Sequence, residues 1–256
     1  MTNDFPAGAV MIFGGSGGIG SGVALQFARS GTDVAICYRT KQDVAERTAQ
    51  AIRALGIKAS THQVDVRDPA QIAAALVAAV TAHGRIHSMV WGAGPLVPQL
   101  HLADVAAQQF RNAIEVEVFG FFNAAQALIP HFRANGGGSF VHLGSAGHDW
   151  WPAMDGLSVA PKAANESLIR GIAKEEGKYE IRANSVLVGV IDAGMFHELS
   201  AQGVFDDAWI TETRKLLALK RWGKPEDIGN AAIFFASNRA QYVTGQTISV
   251  SGGFGV

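Results

Sequence analysis

Cysteine is almost absent from this chain. Cys37 is its single thiol, which excludes an intramolecular disulfide and suits a reducing compartment, with the cytoplasm as the expectation. Charge of one sign is missing too: the formal net charge is −1 and no run is rich in Lys or Arg. Nucleic acid and anionic membrane surfaces are therefore not expected partners. No apolar stretch is long enough to cross a bilayer, and residues 1–8 carry no basic segment ahead of an apolar core, so neither a spanning helix nor a leader is expected. Tyrosine is scarce, at three residues: Tyr38, Tyr179 and Tyr242. Glycine is plentiful, with 30 residues, and 48% of the chain is apolar. That balance fits a sheet buried on both faces, with many tight turns between strands and helices.

Apolar runs of strand length alternate with longer helical stretches throughout. Strands are expected over 9–13, 34–38, 59–64, 86–91, 140–143, 181–188 and 247–250. Helices are expected over 18–30, 41–55, 69–82, 105–133, 161–177 and 225–237. Asp68 and Pro69 supply a cap and a fitting first residue for the third of these, and Gly31 a stop for the first. This alternation argues for an α/β Rossmann fold, a doubly wound parallel sheet with helices on both faces. Right-handed crossovers then place a ligand beyond the carboxyl ends of the strands. No linker, repeat or low-complexity tract divides the chain, so a single domain over 1–256 is expected. Its least regular segment, 191–219, is a candidate lid.

Between the first strand and first helix lies Phe13-Gly14-Gly15-Ser16-Gly17-Gly18-Ile19-Gly20. Glycines here permit a tight turn and let the backbone approach a pyrophosphate seated on the helix N-terminus. The spacing G-x-x-x-G-x-G at Gly14, Gly18 and Gly20 resembles that of the short-chain dehydrogenase/reductase family. The likeness extends over nearly the whole chain. Asp65 and Val66 resemble the family's adenine-contacting positions, and Ala93-Gly94 the end of its N-N-A-G strand. Leu143-Gly144-Ser145 is similar to the strand bearing the catalytic serine, and Val188-Gly189 to the P-G loop that leads to Ile191. Gly223 to Ile228 and Val243 to Gly253 are similar to its C-terminal signatures.

The resemblance implies a nicotinamide dinucleotide held by Gly14, Ser16, Gly18, Ile19, Gly20, Asp65, Val66, Gly94, Lys162, Gly189 and Ile191. Sites preferring NAD place an acid at the end of the second strand for the ribose 2′-hydroxyl. Here that position is Tyr38, followed by Arg39, which can accept a 2′-phosphate, so NADP(H) is the expected cofactor. Gly17 stands where such enzymes often carry a basic residue.

At the reaction end the resemblance breaks. The family's active site is Asn-Ser-Tyr-Lys, with tyrosine thirteen residues after serine and lysine four further on. Ser145 and Lys162 fill their positions, but Ser158 stands in the tyrosine's place and Glu117 in the asparagine's. Trp91-Gly92 replace Asn-Asn, Phe13 and Ala193 replace threonines, and Val188 replaces a proline. A phenol with pKa near 10, lowered by a neighbouring ammonium, can protonate a forming alkoxide, whereas a serine hydroxyl is a poor acid. Glu117, Ser158 and Lys162 resemble the arrangement of the 2,4-dienoyl-CoA reductases, a branch of the family that reduces an activated C=C bond. That likeness implies Ser145 and Ser158 as donors to an enolate oxygen and Lys162 on the nicotinamide ribose. Glu117 would order a water or serve as the lysine's counter-ion.

His148-Asp149-Trp150-Trp151 is expected near the substrate. His83 and His87, four apart but with no third ligand evident, are expected as surface residues, and no metal site is expected. Phe119, Phe121 and Phe122 are expected in the core or at a subunit interface, the resemblance implying a homotetramer. Two function classes remain open: a reductase of a small molecule bearing an activated C=C or an unusual carbonyl, and an NADP(H)-binding sensor or subunit that has lost catalysis.

Overall fold

The computed structural model describes residues 4–256, so the start of the segment examined for a leader, residues 1–3, lies outside the described residues. Seven parallel strands form one sheet in the order β3-β2-β1-β4-β5-β6-β7. They are β1 (Ala9–Phe13), β2 (Asp33–Tyr38), β3 (Ala59–Gln63), β4 (Ile86–Trp91), β5 (Gly138–Ser145), β6 (Ile181–Val188) and β7 (Thr247–Val250). The strand order reverses between β1 and β4, which pair directly, and this opens a crevice at their carboxyl ends.

Alternate residues of each strand serve opposite faces. On one face Val10, Ile12, Val34 and Ile36 pack with Val23 and Phe27 of α1 (Gly18–Arg29), Ile52 of α2 (Gln42–Ala54) and Ile228 of α9 (Pro225–Ala236). On the other, Met11, Phe13 and Trp91 pack with Ile72 of α3 (Pro69–His83), Phe121 and Leu128 of α5 (Gly120–Ala134) and Ile169 of α6 (Gly156–Glu176). Each such side chain, fully buried, stabilises the fold by about 1.5–3 kcal/mol relative to exposure. Asp68 caps α3 by accepting from the amides of Ala70 and Gln71, and Gly31 follows α1 with φ +86°.

Several boundaries depart from expectation, each for a local reason. The long helix expected over 105–133 is α4 (Ala107–Ile114), a π-helical turn over Glu115–Phe119, and α5. The helix that continues through 161–177 begins at Gly156, because the Asp155 carbonyl accepts the amides of Ser158 (3.0 Å) and Val159 (2.9 Å) and so starts the turn. Pro161 sits inside α6, near enough to its start that only one internal bond is lost. Strand β5 runs beyond 140–143 because it pairs with β6 from Gly138↔Ile181 to Ser145↔Val188. The irregular segment 191–219 holds two helices, α7 (Met195–Ala201) and α8 (Asp207–Lys215).

The two histidines expected at the surface are not there. His87 is 1% exposed and hydrogen-bonded to Thr32 (2.8 Å) and Ser88 (2.9 Å), and burial pushes its imidazole down to about 3. His83 bonds Ser60 (2.9 Å) and Asp33 (3.2 Å), tying the end of α3 to the foot of the sheet. Phe121 is buried, whereas Phe119 and Phe122 are exposed.

Candidate active site

A cavity of about 410 Å³ occupies the crevice beyond β1 and β4. Gly14, Ser16, Gly17, Gly18, Ile19 and Gly20 line its floor. The first helix opens here with Gly17 as its cap residue, without a side-chain cap and with no acid in its first turn. Its leading amides are therefore unclaimed by any side chain, which is the arrangement that receives a phosphate. Gly14, Gly18 and Gly20 are obligatory, a Cβ at Gly20 standing 2.2 Å from the Gly14 carbonyl oxygen. Gly14 has φ +78°, and a Cβ there would stand 2.3 Å from the Gly92 carbonyl oxygen. A Cβ at Gly18 would stand 2.3 Å from the Gly194 amide, so the start of the 191–219 segment closes directly onto the loop. A dinucleotide's diphosphate fits this backbone cradle on both geometry and chemistry.

At one end of the crevice stand Arg39, Lys41, Asp65 and Val66. Among the described residues the Arg39 guanidinium makes no hydrogen bond or ion pair; only its carbonyl is engaged, by Gln63 (3.0 Å). Arg67 donates through Nε to Asp65 Oδ1 (2.9 Å) and through a second nitrogen to Oδ2, and this contact holds the Asp65 carboxyl down to about 2. Lys41 Nζ pairs with Glu198 of α7 (2.8 Å), a link between the loop after β2 and the 191–219 segment that sequence reasoning did not anticipate. No local signal marks it, because 157 residues separate the partners.

At the other end are Gly94, Glu117 and Lys162. Glu117 sits in the π-helical turn, a helix irregularity frequent at functional sites, and is 2% exposed. Its Oε1 accepts from Lys162 Nζ, while Asn165 Nδ2 donates to its carbonyl (3.0 Å) and steadies the widened turn. A Cβ at Gly94 would stand 2.4 Å from that same Oε1, so glycine there admits the carboxylate. Ser145 ends β5, and its Oγ accepts the Gly147 amide (3.1 Å). Ser158 lies on α6 one turn before Lys162, on the same face.

Ser145 and Ser158 do not line the cavity itself, nor do Gly189 and Ile191. Gly189 packs against Ser251, where a Cβ would meet backbone at 2.6 Å, and Ile191 is 4% exposed in the core. Trp150 and Trp151 are exposed, Trp150 lying against Phe254 with ring centroids 5.3 Å apart. None of the three tyrosines lines the crevice. Tyr38 is buried at the end of β2, Tyr179 meets Arg133 beyond the far end of α6, and Tyr242 is fully exposed. Behind the site, His142 Nδ1 bonds Glu166 Oε1 (2.9 Å), both groups sealed from solvent. Among the described residues no three His, Cys, Asp or Glu are placed to hold a metal ion, and no helix is long and apolar enough to cross a membrane.

This architecture has many counterparts. The family model described as enoyl-(acyl carrier protein) reductase matches residues 14–255. The 3-oxoacyl-acyl-carrier-protein reductase FabG of Staphylococcus epidermidis is 30% identical over 245 residues, covering 96% of this chain and 98% of its own. The 7alpha-hydroxysteroid dehydrogenase of Escherichia coli is 29% identical over 243 residues, covering 95% and 92%. Among solved structures, a 7alpha-hydroxysteroid dehydrogenase complexed with NADH and 7-oxo glycochenodeoxycholic acid superposes with a TM-score of 0.90 at 28% identity, covering 99% of this chain and 97% of that one. A short-chain type dehydrogenase/reductase from Mycobacterium ulcerans gives the same TM-score and identity over 98% and 90%. Sequence match, length and strand order agree from end to end: the chain belongs to the short-chain dehydrogenase/reductase family of oxidoreductases.

Proposed function

We propose that this protein is an NADP(H)-dependent reductase of a small molecule bearing an activated C=C bond (an enoyl or enone group) or an unusual carbonyl. One observation carries the reading: the Glu117–Lys162 pair shares a single crevice with the glycine loop and Arg39. The amides that open α1 take the diphosphate, with Ser16 and Ile19 beside them. Arg39 takes the 2′-phosphate, a charge-assisted contact of about 1.5–3 kcal/mol. Asp65 and Val66 flank the adenine, and Gly94 borders the nicotinamide half. Lys162 holds the nicotinamide ribose, oriented by Glu117, which also orders a water. Reduced nicotinamide supplies a hydride when bound. Ser145 and Ser158 donate hydrogen bonds to the oxygen on which charge develops. In C=C reduction that oxygen is part of a conjugated system, so a phenol beside it is less necessary than in ketone reduction. The family match described as an enoyl reductase supports the same direction.

The exposed Phe119 and Phe122 support a homotetramer with the α4–α5 region at an interface, to be tested by light scattering. For the activity, fluorescence titration is expected to show NADPH binding about ten- to a hundredfold more tightly than NADH. NADPH oxidation is then followed with matched panels of ketones, enones and enoyl thioesters. Turnover confined to saturated ketones would overturn the C=C reading. Tight NADPH binding with no turnover on any panel would make the protein a nucleotide sensor.

A further inference from the structure

With Ser158 in place of a phenol, the reaction end lacks an acid of useful strength at that position, but the same helix carries one a turn earlier. Asp155 caps α6, its carbonyl holding the amides of Ser158 and Val159. Positions 155, 158 and 162 are spaced by three and four, Asp155 preceding the first turn and Ser158 and Lys162 lying on one face of α6. The opposite wall fixes the carboxyl as well. Leu100 bridges to Asp155, and Gln99 donates through Nε2 to Asp155 Oδ1 at 3.1 Å. Among the described residues Oδ2 accepts no hydrogen bond, which leaves one carboxyl oxygen uncommitted. We propose that Asp155, not Ser158, is the proton donor to the substrate oxygen, a further catalytic residue for the reductase activity proposed above, on which this inference rests.

The surroundings suit the role. Burial raises the Asp155 pKa above the ordinary carboxylate value, while the Gln99 bond and the Lys162 charge oppose the rise without reversing it. Lys162 is itself held by Glu117 from the π-helical turn. The facing loop presents neutral Gln99, and its nearest ionisable group, His101, is exposed. Reduction at carbon leaves an electron pair on the carbonyl or conjugated oxygen. The Asp155 O–H bond breaks, its proton passes to that oxygen, and the carboxylate left behind regains a proton from water. One hydride and one proton are thereby added per turnover. An acid tuned upward by burial and kept beside the reacting oxygen is the general requirement for such a step.

Two measurements on Asp155→Asn test this. Infrared spectra recorded through a pH titration should show, in the unmodified protein, a carboxylic-acid carbonyl band that outlasts those of the ordinary carboxyls, and should show it missing from the variant. With whichever panel substrate is turned over, kcat should fall about a hundredfold or more, and its decline with rising pH should vanish. NADPH affinity and KM should be unchanged. A variant that keeps kcat and its pH profile would overturn the proposal, as would identical infrared titrations. If the unmodified protein reduces no panel substrate, it is the reductase reading that fails; the infrared arm then decides on Asp155 alone, and a carboxyl that ionises with the bulk sinks it.

Discussion

The two ends of the crevice are built by different means. At the glycine loop the groups on offer are backbone amides, set in place by close approaches such as Gly14 to Gly92 and Gly18 to Gly194. At the α6 end they are side chains, the Glu117–Lys162 pair. A backbone site depends on chain path and tolerates little change at its glycines. A side-chain site can be rebuilt one residue at a time while the helix carrying it stays in place. The first end accordingly carries its glycines, and the second the Glu117–Lys162 pair.

Substitutions should separate the two ends by the size and kind of their effect. Gly18→Ala puts a methyl group 2.3 Å from the Gly194 amide, so binding of NADPH and NADH should both be lost by fluorescence while the far-ultraviolet dichroism stays that of the folded chain. Retained affinity would mean the diphosphate lies elsewhere. Lys162→Met leaves the Glu117 carboxylate, 3% exposed, without its counter-charge. Breaking a buried pair in this way costs about 3–5 kcal/mol, read as a lower urea midpoint, and adding Glu117→Gln in the same chain should recover most of it. No loss in the single variant would show that water reaches the pair.

Arg39→Ala should weaken NADPH about ten- to a hundredfold and leave NADH unaffected. Equal losses for both nucleotides would remove the 2′-phosphate from the argument. The smallest effect belongs to Asp65. Its carboxyl is held down to about 2 by Arg67, below its ordinary 3.8, so the contact stabilises the folded state fully above about pH 4. That contribution is lost as pH falls toward 2, because the folded carboxyl then takes up its proton. The stability difference between Asp65→Asn and the parent, followed by urea unfolding, should be constant above pH 4 and shrink below it; a constant gap down to pH 2 would sink the assignment.

Much of the fold was legible from the sequence because strand-length apolar runs and helical periodicity are local properties. Strands 9–13, 86–91, 181–188 and 247–250 lie where the alternation places them. Residues 161–177 were legible as the continuation of a helix but its first residue was not, because a backbone carbonyl begins α6 at Gly156. The relation of Ser158 to Lys162 was legible as S-x-x-x-K, whereas the Gln99 contact that holds Asp155 joins residues 56 apart in the chain. The histidines misled for another reason: the partners that draw His87 inside, Thr32 above all, are distant in the chain.

The sequence by itself determined the alternating α/β plan, the glycine loop after the first strand, and the identity of the residues available for chemistry. Only the tertiary structure decided that Glu117 meets Lys162, that Lys41 reaches Glu198, and that Gln99 holds Asp155. The physical reason is range. Backbone propensity and hydrophobic period act over a few residues, while an ion pair or a buried hydrogen bond depends on how distant helices and loops settle around the sheet.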